Sequence, residues 1–157
     1  MTITNTDIMS IQSKIHGWIG HSPWNVSLGI GSYVTMDFGK ELSVQATSTQ
    51  TYVRGQWRLW IRYCCWRIEV RDRVLAGSDD PQEKLEKALK YFSQTRLTAV
   101  HLSPPAPDVA LYFEPDIVLR LFPFNFTGDH IDWYLFTPER EVLVFGGGKS
   151  WECVPEN

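Results

Sequence analysis

The strongest constraint in this sequence is a two-residue rhythm of apolar and polar side chains over residues 56–71. Its apolar members recur as Trp57, Leu59 and Ile61 and then as Cys64, Trp66, Ile68 and Val70. The intervening positions carry Arg58, Trp60 and Arg62 and then Cys65, Arg67, Glu69 and Arg71. Successive side chains of a β-strand point to opposite faces, so the rhythm predicts strands with one buried and one wet face. We expect two strands here, or one long strand bent by a bulge near Tyr63.

Further strands are predicted wherever this alternation recurs or a short apolar run lies between turn residues. They cover residues 32–38, 41–47, 96–102, 108–113, 116–122, 132–137 and 141–145. Turns are predicted at Gly39-Lys40, Glu114-Pro115 and Pro138-Glu139. The glycines at 146–148 are expected to close the sheet region, with Trp151 packing back on it.

One main helix is predicted at residues 81–94. Asp80 and Pro81 supply start signals, and Leu85, Leu89 and Phe92 form an apolar stripe at helical spacing. The N-terminal residues 1–14 are expected to form a short helix or a frayed tail, with isoleucines at helical spacing and a cap at Thr6 or Asp7.

These elements predict an α+β fold in a single domain of residues 1–157. We expect about nine or ten strands, mostly antiparallel, in two curved sheets or a partly open barrel, with the helix at 81–94 packed over one sheet end. A chain of 157 residues buries enough surface to fold without disulfides or metals.

The two halves of the chain also suggest an internal repeat. Residues 33–42 and 108–117 each predict a hairpin, and each is followed by a strand that opens Trp-x-Leu, at Trp57 and at Trp133. The alternative is that the match arises from the alternation of apolar and polar residues alone, because any two amphipathic hairpins share that pattern.

Several short motifs are distinctive. They are Asp37-Phe38-Gly39, Trp57-Arg58-Leu59, Cys64-Cys65-Trp66-Arg67, Trp133-Tyr134-Leu135 and a closing Gly-Gly-Gly-x-x-Trp at 146–151. In these motifs the chain resembles small bacterial families of unknown function. The resemblance spans residues 30–152, and some of the similar families look like immunity proteins, which neutralise a toxin by binding it. It therefore implies a binding role, and it supplies no catalytic residues to transfer.

The charge and cysteine content narrow the function classes. The net charge of −3 argues against broad binding to nucleic acid or anionic lipid. Three cysteines without framework or zinc spacing fit reduced thiols, so we expect a cytoplasmic protein. The sequence shows no run long enough to predict a membrane span, and we predict no metal and no cofactor.

A polar sheet face is the candidate partner-binding site. If the strands of residues 56–62 and 64–71 pair, they bring together Arg58, Trp60, Arg62, Arg67 and Arg71. Guanidinium groups interleaved with an indole suit acidic protein surfaces or nucleic-acid strands. The alternative is a solvated face whose charges pair with Glu69 and Asp72.

Other groups of residues are weaker candidates for a functional site. Asp129, His130 and Asp132 could orient a base or bind a metal, but beside Gly128 they fit a turn better. Gly146–Ser150 departs from phosphate-loop spacing, and no nucleophile elbow occurs. We therefore predict no catalytic residues.

The sequence does not state a function, and three hypotheses remain open. The first is a non-catalytic protein-binding module, with an immunity-type inhibitor of a toxin as its specific form. The second is a nucleic-acid-binding module that uses the arginine and tryptophan face. The third is small-molecule binding or a minor enzymatic activity. A protein partner or self-association as a dimer is the favoured interaction, through sheet edges and surplus aromatic side chains.

Overall fold

The computed structural model describes residues 2–157 and is built from eleven antiparallel strands and two short helices. The helices are α1 (Asn5–Ile15) and α2 (Gln82–Leu89). The strands are β1 (Pro23–Leu28), β2 (Val34–Gln45), β3 (Thr51–Ile61), β4 (Cys65–Val70), β5 (Arg73–Gly77), β6 (Arg96–Ser103), β7 (Asp108–Glu114), β8 (Ile117–Phe122), β9 (Ile131–Phe136), β10 (Glu141–Gly146) and β11 (Lys149–Pro155). The predicted α+β, mostly antiparallel fold is confirmed.

The strands form two open sheets. Six strands lie in the order β1-β2-β3-β9-β10-β11, and five in the order β5-β4-β8-β7-β6. Both sheets contribute alternate apolar side chains to one core, where Phe38 of the first sheet stacks on Phe113 of the second at 6.4 Å between ring centroids. Such alternation is what a sheet with one face in the core requires.

The N-terminal segment is a capped helix. Thr4 accepts a hydrogen bond from the Asp7 backbone, and the Asp7 side chain accepts one in return from the Thr4 backbone. This capping box starts the helix two to three residues before the cap that the sequence suggests. Ile11 and Ile15 are buried in the core, so the helix covers apolar surface that a frayed tail would leave exposed.

The main helix is shorter than predicted. It begins after Pro81, which is the N-cap residue, and after Leu89 it tightens into a 3₁₀ turn, Lys90–Phe92. Gln94 has φ 63°, a left-handed conformation that ends a helix. The predicted stripe is confirmed, because Leu85, Leu89 and Phe92 are all buried.

The predicted tight turn at Gly39-Lys40 is wrong. β2 continues through it to Gln45, and the ladder with β3 shifts register between Phe38 and Glu41, as in a β-bulge. Gly39 takes φ 79° there, where a side chain would be strained. The first half of the proposed repeat is therefore a bulged strand, whereas the second is a hairpin of β7 and β8, so the two halves do not correspond as the sequence suggested.

Three strands were missed by the sequence analysis. β1, β5 and β11 all lie at sheet edges, where a strand has only one hydrogen-bonded neighbour. β5 and β11 lack the regular alternation that marks a half-buried strand. β1 does alternate, with Trp24, Val26 and Leu28 partly buried and Asn25 and Ser27 exposed, so its signal was present in the sequence and was overlooked. Trp151, expected to pack back on the sheet, does so as part of β11.

Candidate functional site

The outer surface of the six-stranded sheet carries the candidate site. β2, β3 and β9 are neighbours in this sheet, and the ladder aligns Thr35 with Trp60 and Trp60 with Tyr134. Because Leu59 and Leu135 point into the core, the residues next to them along each strand must point outward. The sheet thus presents alternate side chains of three strands on one surface.

Aromatic rings dominate this surface. Trp60 stacks on Tyr134 with ring centroids 5.3 Å apart and planes 27° apart, and Phe136 follows Tyr134 at 6.1 Å. Tyr33 meets Tyr63 edge to face at 5.4 Å at the end of the strands. We call the surface formed by Tyr33, Trp60, Arg62, Tyr63, Tyr134 and Phe136 the aromatic–arginine face. Stacked and edge-to-face geometries of this kind hold rings in fixed orientations.

Arg62 occupies the middle of the rings. Its guanidinium carbon lies 4.9 Å from the ring centroid of Trp60, 5.1 Å from that of Tyr63, 5.4 Å from that of Tyr33 and 6.0 Å from that of Tyr134. These distances are those of cation–π contacts. Burial opposes the charge, but the neighbouring hydroxyl groups of Tyr33 and Tyr134 outweigh it and raise the pKa of the guanidinium above its ordinary value.

The polar atoms of Arg62 are incompletely satisfied. Nη1 donates a long hydrogen bond of 3.4 Å to the Tyr134 hydroxyl, and Nε is buried with no acceptor. No carboxylate of residues 2–157 lies within 4.0 Å of this guanidinium. The charge of this partly exposed side chain is therefore not neutralised by a carboxylate of the described residues.

Arg58, the next outward arginine along β3, is neutralised within the chain. Its Nε and Nη2 donate to both oxygens of Asp37 at 2.7 and 3.0 Å, and Asn25 donates to the same carboxylate at 3.0 Å. Burial works against the Asp37 charge, but these hydrogen bonds prevail and lower the pKa of Asp37 below its ordinary value. Arg58 is therefore held in place as a positioned, paired group.

The predicted five-residue cluster is divided between two sheets, which corrects the assumption that β3 and β4 pair. β3 pairs with β2 and β9, whereas β4 pairs with β5 and β8. Arg67 thus lies on the five-stranded sheet, where Glu69 accepts hydrogen bonds from Arg67 and from Arg120. Chain connectivity brought these residues close in sequence, but strand pairing separates them.

Arg71 also lies outside the expected cluster. It lies in the turn between β4 and β5 with φ 50°, its side chain is 81% exposed, and it pairs with Asp116. The alternative of a solvated, ion-paired face describes Arg67 and Arg71 well, although Arg71 pairs with Asp116 where Asp72 was suggested.

A depression borders the aromatic–arginine face. It has a volume of about 310 Å³ and is lined by Thr35, Tyr52, Arg54, Arg58, Trp60 and Phe136. An indole and a phenyl ring on its walls, with the Arg58 guanidinium beside them, suit an inserted side chain with an apolar body.

The sequence analysis missed most of the rings of this face. Tyr134 and Phe136 had a usable signal, because they are the outward positions of the second Trp-x-Leu strand. Tyr33 also had this signal, as an outward position of the predicted strand 32–38, although β2 begins one residue later at Val34. Tyr63 lies between β3 and β4 and has no such signal, since its approach to Arg62 depends on how the chain leaves β3.

The Asp129, His130 and Asp132 group does not converge. His130 packs against the Tyr63 ring at 4.6 Å, while Asp132 is buried within β9, where burial raises its pKa to about 6. Within residues 2–157, no three His, Cys, Asp or Glu side chains come close enough to hold a metal ion. Cys64 is buried, and burial raises the pKa of its thiol.

Comparison of the chain with protein-family models, with curated proteins and with solved structures finds no significant match. In the described part of the chain, neither helix has the length and apolar character needed to cross a membrane.

Proposed function

We propose that this chain is a non-catalytic protein-binding module that uses the aromatic–arginine face of its six-stranded sheet. The observation that carries the proposal is the arrangement of Trp60, Tyr134 and Arg62, which are partly exposed and held against one another. Tryptophan, tyrosine and arginine are the residues most enriched at the energetic centres of protein interfaces.

Pre-organisation supports this role. The stacking of Trp60 on Tyr134 and the Asp37–Arg58 ion pair hold large side chains in one orientation before any partner arrives. Binding then costs less side-chain entropy than it would for mobile residues. The depression of about 310 Å³ beside Trp60 offers a place for one anchoring side chain of the partner.

Charge favours a protein partner over nucleic acid. Binding a nucleic-acid strand needs several cations along its phosphate backbone. Arg54 and Arg58, which both belong to β3, already hold carboxylates of this chain. The net charge of −3 acts in the same direction. A module of this kind would act by covering a surface of its partner, which is how an immunity-type inhibitor of a toxin works.

The proposal is tested by capture followed by a measured affinity. The immobilised chain is exposed to lysate of its source organism, the captured proteins are identified by mass spectrometry, and the product of the adjacent gene is also purified and tested directly. With the purified partner, Trp60→Ala and Tyr134→Ala should each weaken binding about 30-fold or more, as removal of an interface centre does.

The matched control is Tyr112→Ala. Tyr112 is 37% exposed on the outside of the five-stranded sheet, and the substitution should leave the affinity unchanged. Equal weakening by all three variants would place the interface elsewhere. Retention of single-stranded RNA or DNA that falls steeply with salt, with no protein bound, would replace the proposal with the nucleic-acid hypothesis.

A further inference from the structure

We propose that Arg62 is the receptor for a carboxylate, supplied by an aspartate or glutamate side chain of the protein partner. This inference rests on the proposed function, since it names the group that the aromatic–arginine face recognises. Its basis is that Arg62 has a fixed position among four rings and no carboxylate partner within residues 2–157, although Arg54 and Arg58 on the same strand each have one.

The surroundings of Arg62 determine how a ligand approaches it. Nε is buried, so a ligand meets the guanidinium at the edge formed by Nη1 and Nη2. At that edge Nη1 has only the 3.4 Å hydrogen bond to the Tyr134 hydroxyl. A planar carboxylate matches two parallel guanidinium donors and gains a charge-assisted bond stronger than a neutral one.

The surrounding rings strengthen an ion pair between Arg62 and a carboxylate. Trp60, Tyr63 and Tyr33 lie against the guanidinium, and an ion pair beside apolar rings is stronger than one surrounded by water. Arg62 is also already held by cation–π contacts, so little of its side-chain entropy remains to be lost on binding.

A carboxylate fits better than a phosphate. A phosphate dianion is usually held by more than one cation, but the nearest outward arginine on β3, Arg58, is occupied by the buried carboxylate of Asp37. A single unpaired guanidinium suits one negative charge.

The first test uses the folded chain and acetate as the probe. Nuclear magnetic resonance of the arginine Nε–Hε groups is recorded during titration with acetate, with inorganic phosphate and acetamide as comparison titrants at matched ionic strength. We expect a saturable shift of the Arg62 signal with acetate and none for Arg54 and Arg58, which serve as internal controls. No saturable shift, or a stronger response to phosphate than to acetate, would overturn the inference.

Two peptides with acetylated N-termini then distinguish the sources of a carboxylate. One contains a single glutamate and ends in an amide, and the other contains glutamine in its place and ends in a free carboxylate. We expect the glutamate peptide to shift the Arg62 signal more strongly. A preference for the second peptide would assign the site to a chain terminus and overturn the side-chain assignment.

Affinity for the purified partner separates this inference from the proposed function. Arg62→Gln should weaken binding about 30-fold, and Arg62→Lys, which keeps the charge but not the planar pair of donors, should weaken it less. Circular dichroism verifies that both variants are folded. If Trp60→Ala weakens binding and both Arg62 variants do not, the carboxylate inference fails and the proposed function stands. If Trp60→Ala also has no effect, the proposed function fails.

Discussion

Arg54 and Glu156 form a fully buried ion pair across 102 residues of chain, with Nη2 and Oε1 2.5 Å apart. The guanidinium also donates to the backbone oxygens of Gly55, Gln56 and Thr137, and Tyr52 donates to the Glu156 carboxylate at 2.6 Å. Every group in this network has a partner, so the C-terminal end of the chain is fastened to β3 by polar contacts inside the protein.

Glu156→Gln should lower the free energy of unfolding by about 3–5 kcal/mol, because it leaves the Arg54 charge buried without its counter-ion. Urea unfolding followed by circular dichroism measures the change. The matched control is Glu114→Gln at the exposed pair with Arg96, where the loss should stay below about 1 kcal/mol. Equal losses in the two variants would contradict the prediction.

The Arg54–Glu156 pair should also make the protein less stable in acid. Burial disfavours the Glu156 charge, but hydrogen bonds from Arg54 and Tyr52 outweigh it and lower the pKa of Glu156. An acid with a lowered folded-state pKa adds stability above its unfolded pKa of about 4.3, and this stability is lost as pH falls through the folded value. The wild type should therefore lose more stability below about pH 4.3 than Glu156→Gln does.

The ionisation of Asp132 should change the stability with pH in the direction opposite to that of Glu156. Burial raises its pKa to about 6, so the folded state binds the proton more tightly than the unfolded state, whose value is about 3.9. Its contribution is complete below about pH 3.9 and lost as pH rises through about 6. Asp132→Asn should therefore gain stability relative to wild type by up to about 3 kcal/mol between pH 4 and pH 7.

Thermal or urea unfolding of both proteins at a series of pH values measures this difference. The amide replaces a group that lies close to Gly146, so the difference in unfolding free energy at any one pH also reflects packing. The informative quantity is the change of that difference with pH. A difference that does not change between pH 4 and pH 7 would show that Asp132 ionises normally in the folded protein.

Gly55→Ala should destabilise the bulge of β2. A Cβ atom at Gly55 would lie 2.6 Å from the Phe38 backbone oxygen and 2.7 Å from its nitrogen, so backbone must move. We expect a loss of about 1–3 kcal/mol, measured by urea unfolding. In Gly29→Ala the nearest atom is the Tyr33 Cβ at 3.5 Å, an ordinary contact, and stability should change by less than about 0.5 kcal/mol.

Cys64 should resist alkylation while the protein is folded. It is buried, and burial raises the pKa of its thiol, so the reactive thiolate is both rare and shielded. The neighbouring Cys65 is partly exposed. Iodoacetamide treatment followed by peptide fragmentation should find Cys65 modified before Cys64, and similar modification of both in denaturant. Early alkylation of Cys64 in the native protein would contradict this expectation.

The sequence by itself determined the strands other than β1, β5 and β11, and which of their side chains face inward. Trp57, Leu59 and Ile61 are buried, and Arg58, Trp60 and Arg62 lie on the outer surface, because a two-residue period is a local property of the strand backbone. The apolar stripe of Leu85, Leu89 and Phe92 was also predictable, because the period of about 3.6 residues is likewise a local property of the helix backbone.

Only the tertiary structure decided which strands are neighbours. Strand pairing joins segments that are distant in sequence, and the alternation within one strand does not specify which other strand it pairs with. In the structure β3 lies beside β9, while β4 belongs to the other sheet. That choice removed Arg67 and Arg71 from the candidate site and brought Tyr134 against Trp60. The inward and outward directions were local consequences of the amino-acid sequence, but the composition of the aromatic–arginine face was a consequence of long-range packing.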